Sequence, residues 1–230
     1  MNLDDAVKLL RNRLDDEIEP YGWSTAEMLS ALNKKRNDFA RRTEYYLDDS
    51  TALICTVTMT TDTQDYALDE RIVSIKRVKP SWSTVPLKKR SVLYMDDNVA
   101  GWEDAESSST PNIWMPDKRS GYISIYPKPN AAIGTIKMRV ARLPLTQFAL
   151  SDLNKTPATS LDFPLMWQEQ LIEGAMAECY GNPDAEKRNP DKESVYTKLW
   201  ERFIQFEVVV WMTKERQSDD DQPDEYSIYR

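Results

Sequence analysis

The sequence contains no histidine in its 230 residues. Histidine is the usual general base near neutral pH and the commonest metal ligand in proteins. Its absence excludes the serine and cysteine triads that depend on imidazole, and it excludes most zinc sites. An enzyme that works through carboxylates, lysine or an N-terminal nucleophile stays open.

Glycine and cysteine are also scarce, with six and two residues respectively. The glycines are not clustered, so the chain lacks a familiar glycine-rich phosphate-binding loop. Cys55 and Cys179 lie far apart in apolar surroundings and without the spacing of metal ligands, which predicts two buried free thiols. We therefore expect no cofactor, no bound metal and no catalytic residues.

Long hydrophobic runs are missing as well. No apolar stretch approaches the roughly 18 residues that a membrane-spanning helix needs, and the N-terminal stretch is too charged for a secretory signal. We expect a protein that is made in the cytoplasm and has no membrane partner. A hydrophobic fraction of 40% and seven tryptophans indicate a chain that buries enough apolar surface to fold.

The charges are unevenly distributed along the chain, whose formal net charge is −8. Net acidity argues against a general nucleic-acid binder. Residues 71–90 nevertheless contain seven basic side chains and no acidic one: Arg71, Lys76, Arg77, Lys79, Lys88, Lys89 and Arg90. This segregation predicts a surface that meets a complementary surface on a partner protein. The alternative is a set of ordinary strand edges that lysine protects from aggregation.

Helical periodicity marks both ends of the chain. Apolar residues at helical spacing predict a first helix over residues 3–18. Ser24 and Glu27 match the Ser-x-x-Glu capping box and begin a second helix, which we expect to reach residue 46. A third helix follows Pro164, and a fourth covers residues 190–217. The fourth helix carries along one face Val195, Leu199, Phe203, Phe206 and Val210.

Between the helical ends the hydrophobic period changes to two residues, which is typical of β-strands. The alternation is clearest over residues 53–60, which are rich in β-branched side chains. Further strands are predicted around Tyr66 and over residues 72–78, 92–95, 122–126 and 135–142. A hairpin loop over residues 127–134 would join the last two strands.

A block of strands that is separate from the helices favours an α+β fold over a parallel α/β sheet. We predict a helical bundle formed by the N- and C-terminal helices, residues 1–47 with residues 161–217. An inserted, mainly antiparallel β domain occupies residues 51–145, and an extended C-terminal arm occupies residues 218–230. The helical ends should share one hydrophobic core.

The predicted arm has two parts. Residues 218–225 contain five acidic side chains and bury nothing, so they should not fold alone. The end of the arm has β-propensity and suits addition to a strand edge of a partner; its candidate contact residues are Tyr226, Ile228, Tyr229 and Arg230. We predict a docking arm that reaches a partner protein or an adjacent subunit, where basic residues such as those of segment 71–90 would steer it. The alternative is a solubilising tail.

Four stretches carry a family resemblance through their order and spacing. The first is Trp23-Ser24 with Ala31-Leu32-Asn33 and Asp38-Phe39-Ala40-Arg41-Arg42-Thr43. The others are residues 64–68 leading to residues 72–78, the segment Gly121-Tyr122-Ile123-Ser124-Ile125-Tyr126-Pro127-Lys128-Pro129, and residues 161–177. Together they resemble the head-to-tail adaptor proteins of tailed bacteriophages.

This resemblance implies a structural protein of the virion neck, at the head–tail junction. It implies a ring of about twelve copies that binds the portal, extends the DNA channel and provides the platform for tail or nozzle proteins. The partners it implies are the portal protein, a tail or nozzle protein, neighbouring copies, and double-stranded DNA that passes without sequence-specific binding. An acidic or neutral channel would suit this role, because DNA must slide through it.

Two other functions stay open. One is a ring-forming tail or head completion protein that does not contact the portal. The other is a carboxylate-based hydrolase, for which the adjacent pairs Asp15-Asp16 and Asp48-Asp49 are examples of candidates. Adjacent side chains on a helix or strand point in different directions, so such pairs seldom converge on one reacting atom.

Overall fold

The computed structural model describes residues 1–104, 106–107, 110–184 and 187–213. It contains helices together with two mostly antiparallel sheets, which confirms the predicted α+β class. The chain divides into two compact units, one formed by Met1–Thr43 with Thr146–Arg230 and the other by Glu44–Leu145. The first unit is mainly helical and the second holds both sheets.

The helices in the described residues are of three kinds. The α-helices are α1 (Leu3–Arg13), α2 (Thr25–Thr43), α3 (Ala52–Cys55), α4 (Val92–Asn98), α5 (Gln168–Tyr180) and α6 (Pro190–Arg202). Short 3-10 turns cover Leu150–Asp152 and Leu165–Trp167. A wide π-helical segment, Phe203–Val208, continues α6, and α-helical residues follow it up to residue 213.

The core of the helical unit lies where α2, α5 and α6 pack together. Phe39 of α2 is fully buried, with its ring centroid 4.7 Å from that of Phe163 and 6.2 Å from that of Phe203. The start of α2 confirms the predicted capping box, because the Ser24 hydroxyl accepts a bond from the Glu27 N–H at 3.2 Å and the Glu27 carboxylate accepts one from the Ser24 N–H at 2.7 Å. The burial of Phe39 and the capping box therefore both stabilise α2.

A buried arginine ties the segment before the third predicted helix to this unit. Arg36 of α2 is fully buried, and its guanidinium donates to the carbonyl oxygens of Thr146 and Leu161. The same guanidinium lies 3.9 Å from the centre of the Phe148 ring. These contacts place the irregular residues 146–161 against α2, because a buried charge needs hydrogen-bond partners.

The first helix is shorter than its apolar periodicity predicts, since α1 ends at Arg13 and Ile18 is 85% exposed. Asp16 organises the turn that follows. Its carboxylate accepts bonds from the N–H groups of Gly22 and Trp23 at 2.6 and 3.1 Å, and it pairs with Arg11 at 2.8 Å. These bonds stabilise a loop conformation over residues that were expected to continue the helix.

The second unit contains eight strands in its described residues, arranged as two sheets. They are β1 (Leu47–Asp48), β2 (Thr56–Thr58), β3 (Asp65–Ala67), β4 (Ile72–Pro80), β5 (Lys88–Lys89), β6 (Ile113–Met115), β7 (Tyr122–Tyr126) and β8 (Thr135–Arg142). In one sheet β8 pairs with β1 and β2 and also with β4; the other has the order β3-β7-β6-β5. Only the short β5–β6 pair, among the described strands, is parallel.

Residues from both sheets form one core inside this unit. Val78, Ile136, Met138 and Val140 come from one sheet, and Ile123, Ile125 and Trp114 come from the other. A smaller cluster of Met95, Trp102 and Met115 lies beside it. Burial alternates along β8, so its intervening residues point to solvent.

Three local predictions for this unit are wrong. Residues 92–95 form the start of α4, where the Ser91 hydroxyl accepts from the Tyr94 N–H and the Asp117 carboxylate accepts from the Val92 N–H. Residues 53–55 belong to the single helical turn α3, and the strand β2 begins only at Thr56. The strands β7 and β8 do not form a hairpin, because they belong to different sheets.

Candidate functional site

The exposed face of the β4–β8 pair carries four cations in direct opposition. Arg77 is the register partner of Arg139, and Lys79 is the register partner of Lys137. All four residues are exposed, and side chains two positions apart on a strand share a face. We call Arg77, Lys79, Lys137 and Arg139 the basic quartet.

The basic quartet has no ion pair or side-chain hydrogen bond to any other residue that the structure describes. Like charges that face each other across an antiparallel pair destabilise it by a few tenths of a kcal/mol up to about 1 kcal/mol. A fold gains nothing from this arrangement by itself. Four unpaired cations on one rigid face are suited to bind an anionic partner.

A surface cavity of about 450 Å³ adjoins the basic quartet. Lys79 and Lys137 line it together with the loop that follows β4, including the half-buried Trp82 and the hydroxyl-bearing residues Ser83 and Thr84. The cavity therefore combines two cations, an indole ring and hydroxyl groups. This set can contact a peptide that carries carboxylates beside an aromatic side chain.

Gly134 allows the cavity loop to approach the start of β8. Its φ is +116°, and a side-chain methyl there would lie 2.4 Å from the Ser81 hydroxyl oxygen. That oxygen accepts a bond from the Thr135 N–H at 3.0 Å, and the Ser81 N–H donates to the Thr135 carbonyl at 2.8 Å. A residue without a side chain is needed here because both the backbone angle and the space exclude one.

Two of the seven basic residues predicted from the sequence are engaged within their own unit. Arg71 forms a two-point contact with Asp69 at 2.7 and 2.8 Å, and this contact lowers the pKa of the Asp69 carboxyl to about 2. Lys76 pairs with Glu44. These two side chains are therefore less available to a partner than Arg77 and Lys79.

The other predicted cations lie at β5 and just after it. The Lys89 ammonium is 5.5 Å from the centre of the Trp114 ring, and the Arg90 guanidinium is 4.7 Å from the centre of the Tyr94 ring. Lys88 is exposed. The sequence run is thus split between two sheets, and only Arg77 and Lys79 belong to the basic quartet.

The structure adds two residues that the sequence analysis did not name, and four predicted contact residues lie outside the part of the chain that it describes. Lys137 and Arg139 were missed, although they alternate with buried residues in the predicted strand; their position opposite Lys79 and Arg77 depends on the strand register. The arm residues lie outside the described residues: Tyr226, Ile228, Tyr229 and Arg230.

The carboxyl groups with resolved pKa shifts in the described residues are held in their ionised form. A bond from the Ser24 N–H is the main reason that the pKa of Glu27 falls to about 2. Burial would raise the pKa of Asp48, but bonds from Thr51, Ser50 and the Arg142 guanidinium outweigh it and lower that pKa. A general acid needs a raised pKa, and these shifts are in the opposite direction.

Both thiols are buried and free, as predicted. Burial raises the pKa of Cys55 to about 11 and that of Cys179 to about 12, so neither is a thiolate near neutral pH.

Among residues that the structure describes, no group of three or more carboxyl or thiol side chains could hold a metal ion. Within the same residues, no helix has the length and apolar character needed to cross a membrane.

Comparison with known proteins gives one family. The family model described as SU10 adaptor protein matches residues 1–222 of the chain. A search of curated proteins found no match. The matched region includes all of the second unit, the first unit up to residue 222, and the basic quartet.

Proposed function

Because the chain belongs to the SU10 adaptor protein family, a family of structural phage proteins, we propose that it binds the portal as a ring of about twelve copies. The ring lies in the virion neck, extends the DNA channel and provides the attachment platform for tail or nozzle proteins. The observation that carries this proposal is the family match over residues 1–222. The isolated chain stays monomeric or weakly associated until it meets the portal.

The chain acts in this proposal by contact and has no catalytic role. The carboxylates with the largest shifts are engaged in helix capping and ion pairs, as at Glu27 and Asp69. Both cysteines are buried thiols of raised pKa. These observations favour an adaptor over the carboxylate-based hydrolase.

The basic quartet faces a protein and not the DNA channel. Four unpaired cations on the channel wall would bind passing phosphates and retard the DNA, because phosphate contacts dominate nucleic-acid affinity. The chain has a net charge of −8, which suits an acidic channel wall. The quartet is then free to bind an acidic segment of a neighbouring subunit.

That segment is the C-terminal arm of an adjacent copy. Residues 218–225 carry five carboxylates, and Tyr226 follows them directly. The basic quartet and the Trp82 cavity together offer four cations, two of them beside an aromatic ring, which is the complementary set. The carboxylates would be steered to the quartet, and Tyr226, Ile228 and Tyr229 would anchor the end of the arm.

The placement in the neck is tested by cryo-electron microscopy of virions or of portal rings mixed with the purified chain. We expect density for this chain in contact with the portal. Density that lies elsewhere in the virion would replace the adaptor role with that of another completion protein. Absence of any complex with portal rings would overturn the proposal.

The arm is tested separately by truncation after Gln217. We expect the truncated chain to fold but to occupy portal rings less fully, and the deficit to be largest at low salt. A matched control keeps the length of the arm and replaces its five carboxylates by amides. If both variants occupy rings as fully as the intact chain at every salt concentration, the arm is a solubilising tail.

A further inference from the structure

The last described helix exposes apolar side chains on the face away from its own core. Its buried side consists of Trp200, Phe203, Ile204 and Val208. Its outer side exposes Val195 by 55%, Leu199 by 40%, Phe206 by 64%, Val209 by 48% and Val210 by 47%. The helix is therefore apolar over a wider arc than its own unit covers.

The spacing of these outer residues is that of a helix-packing seam. Val195, Leu199, Phe206 and Val209 are separated by four, seven and three positions, which is the heptad pattern of surfaces that pack against another helix. Arg202 occupies the one intervening heptad position and Phe206 lies in the π-helical turn. We call Val195, Leu199, Phe206 and Val209 the α6 seam.

The exposed apolar area of the α6 seam together with Leu165, Met166 and Val210 approaches that of one side of a stable interface. Trp167 and Trp211 are in ring contact at 5.3 Å, which brings Leu165 and Met166, exposed by 79% and 62%, to the end of the seam. With Val210, these side chains expose on the order of 600 Å², compared with roughly 800 Å² per partner in a typical interface. Patches of this size on soluble proteins usually mark an interaction site.

A second feature of the same unit is a mainly apolar groove beside α2. It has a volume of about 260 Å³ and lies between α2 and the irregular segment that follows residue 146, with Ala26, Leu29, Phe148 and Leu150 among its lining residues. Two hydrogen bonds of 2.9 Å between the Asn33 amide and the Phe148 backbone fix its wall. We call it the α2 groove; it is large enough for a phenylalanine side chain.

We propose that the α6 seam of one copy packs into the α2 groove of the next copy. The inference rests on the proposed ring. Two different surfaces that meet between identical chains form a heterologous contact, which gives a ring when its rotation closes and an open filament when it does not. A contact of the seam with the seam of a second copy would be isologous and would give dimers. The surface exposed by α6 is thereby covered in the assembled ring.

The contact is tested by cross-linking two cysteine variants with a short bismaleimide. One variant carries Phe206→Cys and the other Ser30→Cys, since Ser30 lines the α2 groove. The native Cys55 and Cys179 are buried, which keeps the background low. We expect a cross-linked pair when the two variants are mixed, in concentrated solution and on portal rings, and much less from either variant alone.

Several outcomes would overturn this inference. One is a cross-linked dimer from Phe206→Cys alone, and another is a cross-link from Phe206→Cys to a cysteine of the portal. A third is cross-linking between copies that requires truncation after Gln217, because the arm of the intact chain would then be what covers the seam. Equal, negligible cross-linking in the mixture and in the single variants would also overturn it.

A charge introduced into the seam gives an independent test. We expect the sedimentation coefficient of the wild-type chain to rise with concentration as copies associate. We expect Phe206→Glu to abolish this rise and to lower ring occupancy on the portal at least tenfold. Leu93→Glu is the matched control, because Leu93 is also helical and is 69% exposed, but belongs to the other unit. If wild-type rings form and Phe206→Glu has the same ring occupancy as Leu93→Glu, the α6 seam does not form the contact between copies, while the adaptor role stands. If wild-type rings never form on the portal, the adaptor role fails, and the cross-linking in solution still decides the seam.

Discussion

Gly174 and Trp200 are in direct contact between α5 and α6. A side-chain methyl on Gly174 would lie 2.6 Å from Cε3 of Trp200. The Trp200 indole is 1% exposed, and its N–H donates to the Asp38 carboxylate at 2.7 Å. One tryptophan therefore joins three helices, and its position depends on the missing side chain at Gly174.

We expect Gly174→Ala to lower the free energy of unfolding by about 1–3 kcal/mol, the usual cost of overpacking a core. Alanine favours a helix over glycine by roughly 1 kcal/mol, so steric strain has to outweigh a gain in propensity. Urea denaturation measures the change. Gly22→Ala is the control, since the nearest atom to its added methyl is at 3.4 Å, and we expect a change within about 0.5 kcal/mol. A stabilised Gly174→Ala variant would contradict the packing.

The parts of the fold that depend on residues close together in the sequence could be predicted from the sequence. The Ser24–Glu27 capping box is an example, because both of its bonds span three residues. The start of α4 was missed: its bond from the Tyr94 N–H to Ser91 is local, but its bond from the Val92 N–H to Asp117 spans 25 positions. The alternation of Val92 and Tyr94 looked like a strand, yet only Met95 in this helix is buried.

The candidate site shows the same division. The sequence placed cations in and just after the predicted strand over residues 72–78, but it could not pair Arg77 with Arg139 and Lys79 with Lys137. That pairing depends on the register of β4 with β8, which also contains irregularities between Ile75 and Arg77. Register is fixed by the buried face and by long-range contacts, so a local pattern does not contain it.

The like charges that face each other in the basic quartet predict that a substitution can stabilise the fold and at the same time weaken its attachment to assembled necks. Arg77→Glu would replace a repulsive pair with Arg139 by an attractive one, so we expect the free energy of unfolding to rise by about 0.2–1 kcal/mol at low salt. The same variant should attach less firmly to assembled necks. Urea denaturation and ring occupancy measure the two effects.

Lys76→Glu serves as the control for that substitution. It changes the charge equally in the same strand but places a carboxylate opposite Glu44, so we expect a loss of stability. If Arg77→Glu also destabilises the chain, the opposition of Arg77 and Arg139 has no energetic effect. If it stabilises the chain without weakening attachment, the quartet has no role in assembly.

The capping box at α2 predicts a stability difference that depends on pH. The pKa of Glu27 is about 2 in the folded chain against its ordinary 4.5, mainly because the Ser24 N–H bonds to the carboxylate. A lowered pKa stabilises the fold fully above pH 4.5, and this contribution disappears as the pH falls towards 2. We expect Glu27→Gln to be less stable than wild type at pH 7 and nearly equal to it at pH 2. Urea denaturation across this range checks it; a difference that stays constant with pH would contradict the assignment.

A reciprocal charge exchange tests the contact between the arm and the basic quartet. Lys79→Glu with Lys137→Glu should lower neck occupancy about tenfold, and so should lysine in place of Asp219, Asp220 and Asp221, because each change leaves like charges facing each other. Combined in one chain, the two sets of changes restore opposite charges between neighbours, and we expect occupancy to recover. The recovered contact should weaken again as salt rises.

The control for this exchange must change the net charge equally elsewhere. Lys8→Glu with Arg41→Glu does so at two exposed positions of the helical unit. Combined with the same lysine substitutions in the arm, it should give no recovery, because the quartet would still repel the arm. Recovery in both backgrounds would mean that only net charge matters and that the arm has no specific binding site. Recovery in the quartet background alone, measured as ring occupancy on portal rings, identifies the basic quartet as the surface that binds the arm.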